Sequence, residues 1–334
     1  MSLMNKDIKK IAIVRLSALG DIVNSAVVLQ FIHSNYPDAK IDWICEEVFS
    51  DILEEHPHIH QLHTINLKKF KKEKSLKLLK ETISKLRNLG EYDLIIDMQG
   101  LIKSAVVSRL IGKNTHGFDK NSTRESLAAL FYKTTATIPY ESNVVERNCY
   151  VVSSALDFKI DKEMLLNKEP IFPIRGNFEL RTDKRNIAFI IGASWESKIY
   201  PKERVAKICD ALQEQCYIIW GNEKEKADAL WITQHSKYAT MAPELSLGSL
   251  LSFISNMDLL IGNDTGPTHM AWAQNIPSIT LLGPTTTRMI YETPKNIGIK
   301  SSSDVNILKI DKNDFSIKDI EPQLIVDKAK ELLN

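Results

Sequence analysis

Residues 259–273, LLIGNDTGPTHMAWA, join an apolar strand to an apolar helix through a Gly-Asn-Asp-Thr-Gly-Pro turn. Free N–H groups at a helix start, with the helix dipole behind them, bind anions. Gly266 lets the backbone approach such a group closely, and the Thr265 hydroxyl adds a donor. The same residues also describe an ordinary capped helix start, with Asp264 or Thr265 as N-cap and His269 as a structural histidine. Residues 192–203, GASWESKIYPKE, place a hydroxyl, Ser194, and a cation, Lys198, after another strand. They suit a diphosphate or a solvated polar loop. In WGNEKEKADAL (220–230), Glu225 is able to accept bonds from sugar hydroxyls or simply to favour a first helical turn. VRLSALGDIV (14–23) sets a carboxylate, Asp21, where a strand passes through a polar elbow into a helix. A carboxylate so placed can take a proton from an incoming hydroxyl.

Residues 67–87, LKKFKKEKSLKLLKETISKLR, hold nine Lys and Arg against two Glu, a net charge of +7. Apolar residues are interleaved. The bland reading is a solvated helix face. The density, in a chain whose formal net charge is only +1, favours a polyanionic partner or an anionic membrane surface, worth about 1 kcal/mol per nearby basic residue. No stacking platform or nucleic-acid motif accompanies the charges, so nucleic acid is not the expected partner.

These segments need strands and helices to hold them. IAIVRL (11–16), KIDWICEE (40–47) and YDLIIDMQG (92–100) read as strands, and residues 21–37 and 103–112 as helices. After a Pro- and Gly-containing stretch at 168–186 the alternation restarts. Strands are expected at 187–194, 216–222, 257–264 and 278–284, and helices at 203–215 and 321–334. Strand–helix alternation predicts parallel sheets covered on both faces. The expectation is two α/β domains, 1–167 and 187–334, joined by a linker at 168–186, with a cleft between them. In such folds ligands collect at the carboxyl ends of the strands.

The 334 residues, 43% apolar, suffice for two cores. Cys45, Cys149, Cys209 and Cys216 lack metal or redox spacing and read as reduced thiols of a cytoplasmic protein. No apolar run approaches the roughly 20 residues that span a bilayer, and no secretory signal is expected. The opening MSL reads as an expression scar. The absence of G-x-G-x-x-G and G-x-x-x-x-G-K-[ST] argues against a nicotinamide dehydrogenase and a P-loop enzyme. No Asp, Glu or His cluster has metal-ligand spacing.

RLSALGDIV resembles the R-x-S-x-L-G-D opening of the ADP-heptose:lipopolysaccharide heptosyltransferases, glycosyltransferase family 9. DWICEEVF, IIDMQGLIKSAVVSRL, HGFDKNSTRESLAALFY and VVERN resemble the branch that adds the first heptose. NDTGPTHMAWAQNIPSITLLGPT resembles the family's nucleotide-binding block. The resemblance extends over roughly residues 11–296. It implies the GT-B fold, two Rossmann-like domains facing each other across a cleft. It also implies inverting transfer of L-glycero-D-manno-heptose from ADP-heptose to the inner Kdo of Kdo-lipid A, with no metal or other cofactor. The enzyme would sit peripherally on the cytoplasmic face of the inner membrane.

By position, Asp21 matches the family's catalytic base and Lys198 its diphosphate-contacting lysine. Asp264, Thr265, Gly266 and His269 fall in the nucleotide-sugar block. Ser194 lies near a family threonine in a loop one residue shorter. A family glutamate corresponds to Glu225, or to Glu223 after a shift. Arg124 matches an acceptor-side arginine. Ser17 and the lysines Lys68, Lys69, Lys71 and Lys72 complete the expected acceptor side; the family's basic loop is arginine-rich where this one is lysine-rich. The alternatives are heptosyltransferase II or another family member, a GT-B sugar-nucleotide epimerase, and a non-catalytic lipid or nucleic-acid binding module.

Overall fold

The computed structural model describes residues 8–334, with the side chain of Lys71 excepted, so the opening MSL lies outside the described residues. The chain divides into two compact units, residues 1–173 and 174–334. The first contains β1 (Lys10–Val14), α1 (Leu19–Ala26), α2 (Val28–Asn35), β2 (Lys40–Glu46), β3 (Gln61–Ile65), α3 (Leu67–Glu73), α4 (Leu76–Arg87), β4 (Leu94–Asp97), α5 (Ile102–Ile111), β5 (Thr115–Phe118), β6 (Thr134–Ala136), α6 (Val144–Leu156) and α7 (Lys162–Leu166). The second contains β7 (Asn186–Ile190), α8 (Lys202–Leu212), β8 (Gln215–Ile219), α9 (Glu223–His235), β9 (Ala239–Met241), α10 (Leu247–Ile254), β10 (Leu259–Asn263), α11 (Gly266–Ala273), β11 (Ser278–Leu282), β12 (Asn296–Lys300) and α12 (Pro322–Leu333).

Each unit is built on a six-stranded sheet, ordered β3-β2-β1-β4-β5-β6 in the first and β12-β11-β10-β7-β8-β9 in the second. All pairings are parallel. Central strands are therefore buried on both faces and read as unbroken apolar runs. Ile11, Ala12, Ile13 and Val14 of β1 are all inaccessible, as are Leu259 and Leu260 of β10. Both sheets reverse direction of growth beside their first strand, between β1 and β4 and between β7 and β10. At such switch points the loops leaving the carboxyl ends part and open a crevice.

Two expectations change. The helix expected over 21–37 is two, α1 and α2, meeting at Val27. The Ser25 hydroxyl donates to the Asp21 carbonyl at 2.6 Å, a back-bond that bends helices. The lysine-rich stretch is likewise two helices, because Lys74 takes a left-handed conformation (φ 49°) and Ser75 caps α4 through the Leu78 N–H. The 168–186 stretch is tied down at both ends. Ile171 and Phe172 are buried in the first unit, where Phe172 packs edge-on against His56. Phe178 packs edge-on against Phe253 of α10 in the second. The terminal helix α12 packs on α8 and the second sheet, burying Ile325, Val326 and Ala329.

Candidate functional site

In the first unit the elbow after β1 projects at the switch point. Asp21, in the first turn of α1, is held through both carboxylate oxygens. Oδ1 pairs with the Arg15 guanidinium at 2.9 Å and Oδ2 accepts the Ala18 N–H at 3.2 Å. Arg15 is buried and also donates to the Met98 carbonyl after β4, so the ion pair is anchored to the neighbouring strand end. The Asp21 side chain is 31% exposed. Each oxygen keeps a second lone pair, so the carboxylate can still receive a proton.

Ser17 stands in the same elbow. Its hydroxyl accepts from Gln99 Nε2 at 3.2 Å and from Lys103 Nζ at 2.9 Å, and Gln99 Oε1 accepts the Leu16 N–H at 3.0 Å. Gln99 and Lys103 were not singled out from the sequence. They lie more than 80 residues away in the chain, and only the β1–β4 pairing brings them in. Glu46, buried at the end of β2, faces both Lys103 and Lys68. Burial pushes its carboxyl up while those ammonium groups pull it back.

The cations expected on the acceptor side flank Asp21 in strand order. The α3 lysines, Lys68, Lys69 and Lys72, follow β3 on one side and are exposed; Lys71 lies on the same helix. Lys103 follows β4, and exposed Arg124 follows β5, on the other side. Asn66 caps α3 through the Lys69 N–H at 2.9 Å, and Lys68 lies over the Phe49 ring at 5.1 Å.

In the second unit Lys198, Asp264 and His269 meet at the β7/β10 switch point. Lys198 Nζ lies 2.8 Å from Asp264 Oδ2, and His269 Nε2 lies 3.4 Å from Oδ1. All three side chains are buried. Burial alone would raise the Asp264 carboxyl, but the Lys198 ammonium and the His269 contact outweigh it and hold the group well below the usual carboxylate range. Asp264 therefore does not cap α11. Thr265 occupies the N-cap position, as one of the two expected caps, but makes no side-chain cap bond. Gly266 and Pro267 open the helix.

Asn263, missed in the sequence, stitches the two strand ends together. Its amide donates to the Ile191 carbonyl at 2.8 Å and accepts the Tyr200 N–H at 3.1 Å. Of the two glutamates, Glu225 is the one packed against the strand ends. It accepts from the Gly221 N–H and the Asn222 amide, both at 2.7 Å. A Cβ on Gly192 would lie 2.3 Å from its Oε1, so only glycine admits this carboxylate over the loop after β7. Glu223 points to solvent, paired with Lys226 at 3.7 Å. Ser194 is exposed on the same loop, whereas Ser197 beside it is buried with its hydroxyl unpartnered among the described residues. Among the described residues no three His, Cys, Asp or Glu side chains form a metal-holding group.

Residues 81–321 match the family model of Glycosyltransferase family 9 (heptosyltransferase). The lipopolysaccharide heptosyltransferase 1 of Campylobacter coli is 40% identical, over 97% of this chain and 98% of its own length. The chain belongs to glycosyltransferase family 9. This transferase is also 27% identical to the lipopolysaccharide heptosyltransferase 1 of Escherichia coli K12, over 86% of the chain and 92% of that protein. Among solved structures, E. coli heptosyltransferase WaaC with ADP-2-deoxy-2-fluoro heptose superimposes with a TM-score of 0.79 at 22% identity, covering 96% of this chain and 99% of that one. E. coli ADP-heptose lps heptosyltransferase II superimposes at 0.70 and 20%, covering 97% and 98%. The two Rossmann-like units are those of the GT-B fold class. Among the described residues no helix of the transferase is long and apolar enough to cross a membrane.

Proposed function

We propose that this family 9 transferase moves L-glycero-D-manno-heptose from ADP-heptose to the inner Kdo of Kdo-lipid A, with inversion and without a metal. In this reading it works peripherally on the cytoplasmic face of the inner membrane. The first unit takes the lipid acceptor and the second the ADP-sugar. The observation that carries the reading is the matched placement of an orientated carboxylate at the first switch point and a buried Lys198–Asp264 ion pair at the second. The 40% identity to a lipopolysaccharide heptosyltransferase 1 over nearly the whole chain supports the choice of reaction.

In the mechanism, Asp21 takes the proton of the attacking hydroxyl as the anomeric carbon becomes electron-poor. Such proton transfer is worth typically about 10² to 10⁴-fold. Arg15 fixes the carboxylate's direction, and Ser17, Gln99 and Lys103 hold the acceptor sugar beside it. On the donor side the leaving ADP gathers negative charge. Lys198, the Thr265 hydroxyl and the backbone N–H groups of the 264–266 turn stabilise it, and Glu225 binds sugar hydroxyls. Inversion requires Asp21 and the diphosphate to act on opposite faces of one sugar ring. The exposed α3 lysines draw in the lipid-borne phosphates, an attraction that salt screens. The deciding experiment incubates the protein with ADP-heptose and Kdo-lipid A. The expected result is ADP release matched by one heptose mass added to the lipid. ADP release only with an already heptosylated acceptor, or donor isomerisation without acceptor, would overturn the assignment.

A further inference from the structure

The first unit carries an apolar surface that the proton-transfer and phosphate-gripping groups leave unused. Leu127 and Leu130, on the 3-10 turn Ser126–Phe131, are 60% and 80% exposed. Ile102 and Val106, one turn apart on α5, are also exposed. The two elements pack together through Ala105, Ala128 and Tyr132, so their outward side chains belong to one face of the unit. A water-soluble surface gains nothing by displaying four large aliphatic groups on neighbouring elements; such display marks a binding face.

Its charge says what it binds. Residues 102–133 hold six Lys and Arg against two acids, Asp119 and Glu125. Both acids are engaged locally. Glu125 accepts the Ile102 N–H at 2.8 Å, and Asp119 accepts from Asn121, Ser122 and Thr137. Lys103, Arg109, Arg124 and Lys133, on or next to the same two elements, are exposed. Aliphatic tips accompanied by cations match an anionic lipid leaflet, with acyl chains for the former and phosphates for the latter. The face also adjoins the elbow of β1, because Lys103 at its edge donates to Ser17.

We propose that the α5 and 126–131 face seats in an anionic membrane, with Leu127 and Leu130 inserted among the acyl chains. This deepens the reading above, which supplies the lipid-borne substrate. Salt-sensitive capture by the α3 lysines brings the protein to the surface; insertion holds it there with Ser17 and Asp21 turned toward the sugar headgroup.

The test uses the full chain and vesicles of phosphatidylethanolamine and phosphatidylglycerol that contain no acceptor or donor, so its outcome is independent of any transfer reaction. Raising salt to about 0.5 M should remove the electrostatic part of binding and leave an apolar part. Leu127→Ser/Leu130→Ser should lower that salt-resistant partition by about tenfold or more, with an unchanged far-UV spectrum and melting temperature. The native cysteines are buried, so a Leu130→Cys variant takes a polarity-sensitive label selectively. Its emission should shift to the blue on adding vesicles. Turnover on a deacylated, water-soluble acceptor should be the same in the double-serine variant as in the parent. Unchanged salt-resistant partition, or a label that stays water-exposed on vesicles, would overturn the proposal. So would a label that shifts without lipid as the mass doubles, which would assign the face to a second copy of the chain.

Discussion

Replacing Lys198 by methionine separates its pairing with Asp264 from its proposed role at the leaving diphosphate. Nζ lies 2.8 Å from Asp264 Oδ2, with side chains only 9% and 4% exposed. Removing one partner of such a pair strands a buried charge and costs about 3–5 kcal/mol. His269, 3.4 Å from the other oxygen, remains as a hydrogen-bonding partner and offsets part of that, so a loss of about 2–4 kcal/mol is expected. For a unit of this size the melting temperature should fall by about 5–15 °C. Methionine keeps the aliphatic stem, so the loss is electrostatic. The Lys198→Met/Asp264→Asn double variant removes the stranded charge and should recover most of that stability. Activity should not follow. If Lys198 stabilises the departing diphosphate, both variants lose roughly 10² to 10³-fold in kcat. Calorimetry on each variant, beside ADP release at saturating donor, reads the two effects independently. A double variant that regains near-parental turnover would show that Lys198 only neutralises Asp264, and the leaving-group role would be wrong.

Asp21→Asn keeps the side chain's size but can accept from only one of Arg15 and Ala18, and it loses the proton acceptor, so kcat should fall about 10² to 10⁴-fold with ADP affinity unchanged in calorimetric titration; turnover within a few-fold of the parent would remove Asp21 from the chemistry. Gly192→Ala would bring a Cβ to 2.3 Å from Glu225 Oε1 and push the carboxylate off the Gly221 N–H, raising donor KM severalfold while the fold survives; an unchanged KM would separate Glu225 from donor binding. Burial holds His56 and His116 of the first unit down to about 4, whereas the unfolded chain binds those protons near pH 6.5. Between those values the unfolded state carries more protons, so stability falls as pH falls, by about 2 kcal/mol for each histidine between pH 7.5 and 5. Urea titrations at the two pH values measure the slope, and His116→Gln should flatten it; a slope unmoved by that change would contradict the burial argument.

The strands legible from the sequence are those whose position in a parallel sheet buries both faces, as IAIV and LLIG do. The ones that escaped, β3, β5, β6, β9 and β12, are short, at or next to a sheet edge, or carry polar residues. Both TTA of β6 and ATM of β9 leave residues uncovered, so neither a two-residue period nor an apolar run announces them. The candidate site divides in the same way. Asp21, Lys198, Asp264 and Glu225 sit at strand-to-helix handovers that a one-dimensional pattern reveals. Arg15, Gln99, Lys103 and Asn263 lie in segments whose resemblance was legible, but they act through partners on neighbouring strands, and no local pattern says which partner each will meet. Glu223 and Glu225 are indistinguishable as letters; only the missing Cβ of Gly192 separates them.

The two switch points are built on opposite electrostatic plans, and that difference bears on which half does what. At β1 the buried member of the ion pair is the cation: Arg15 is enclosed and Asp21 faces outward at 31% exposure. The partly free carboxylate can exchange a proton with a hydroxyl brought to it, while the guanidinium, which never deprotonates in proteins, cannot compete for that role. At β10 both members are enclosed and the His269 imidazole stands behind the carboxylate. There Asp264 is a poor candidate for proton exchange, because its protonation is strongly opposed by Lys198. Its consequence is to hold the Lys198 ammonium in a buried place, where a positive charge acts on a developing anion far more strongly than it would in water. In the proposed reading one site moves a proton and the other meets a negative charge. A glycosyl transfer that expels a diphosphate needs one of each.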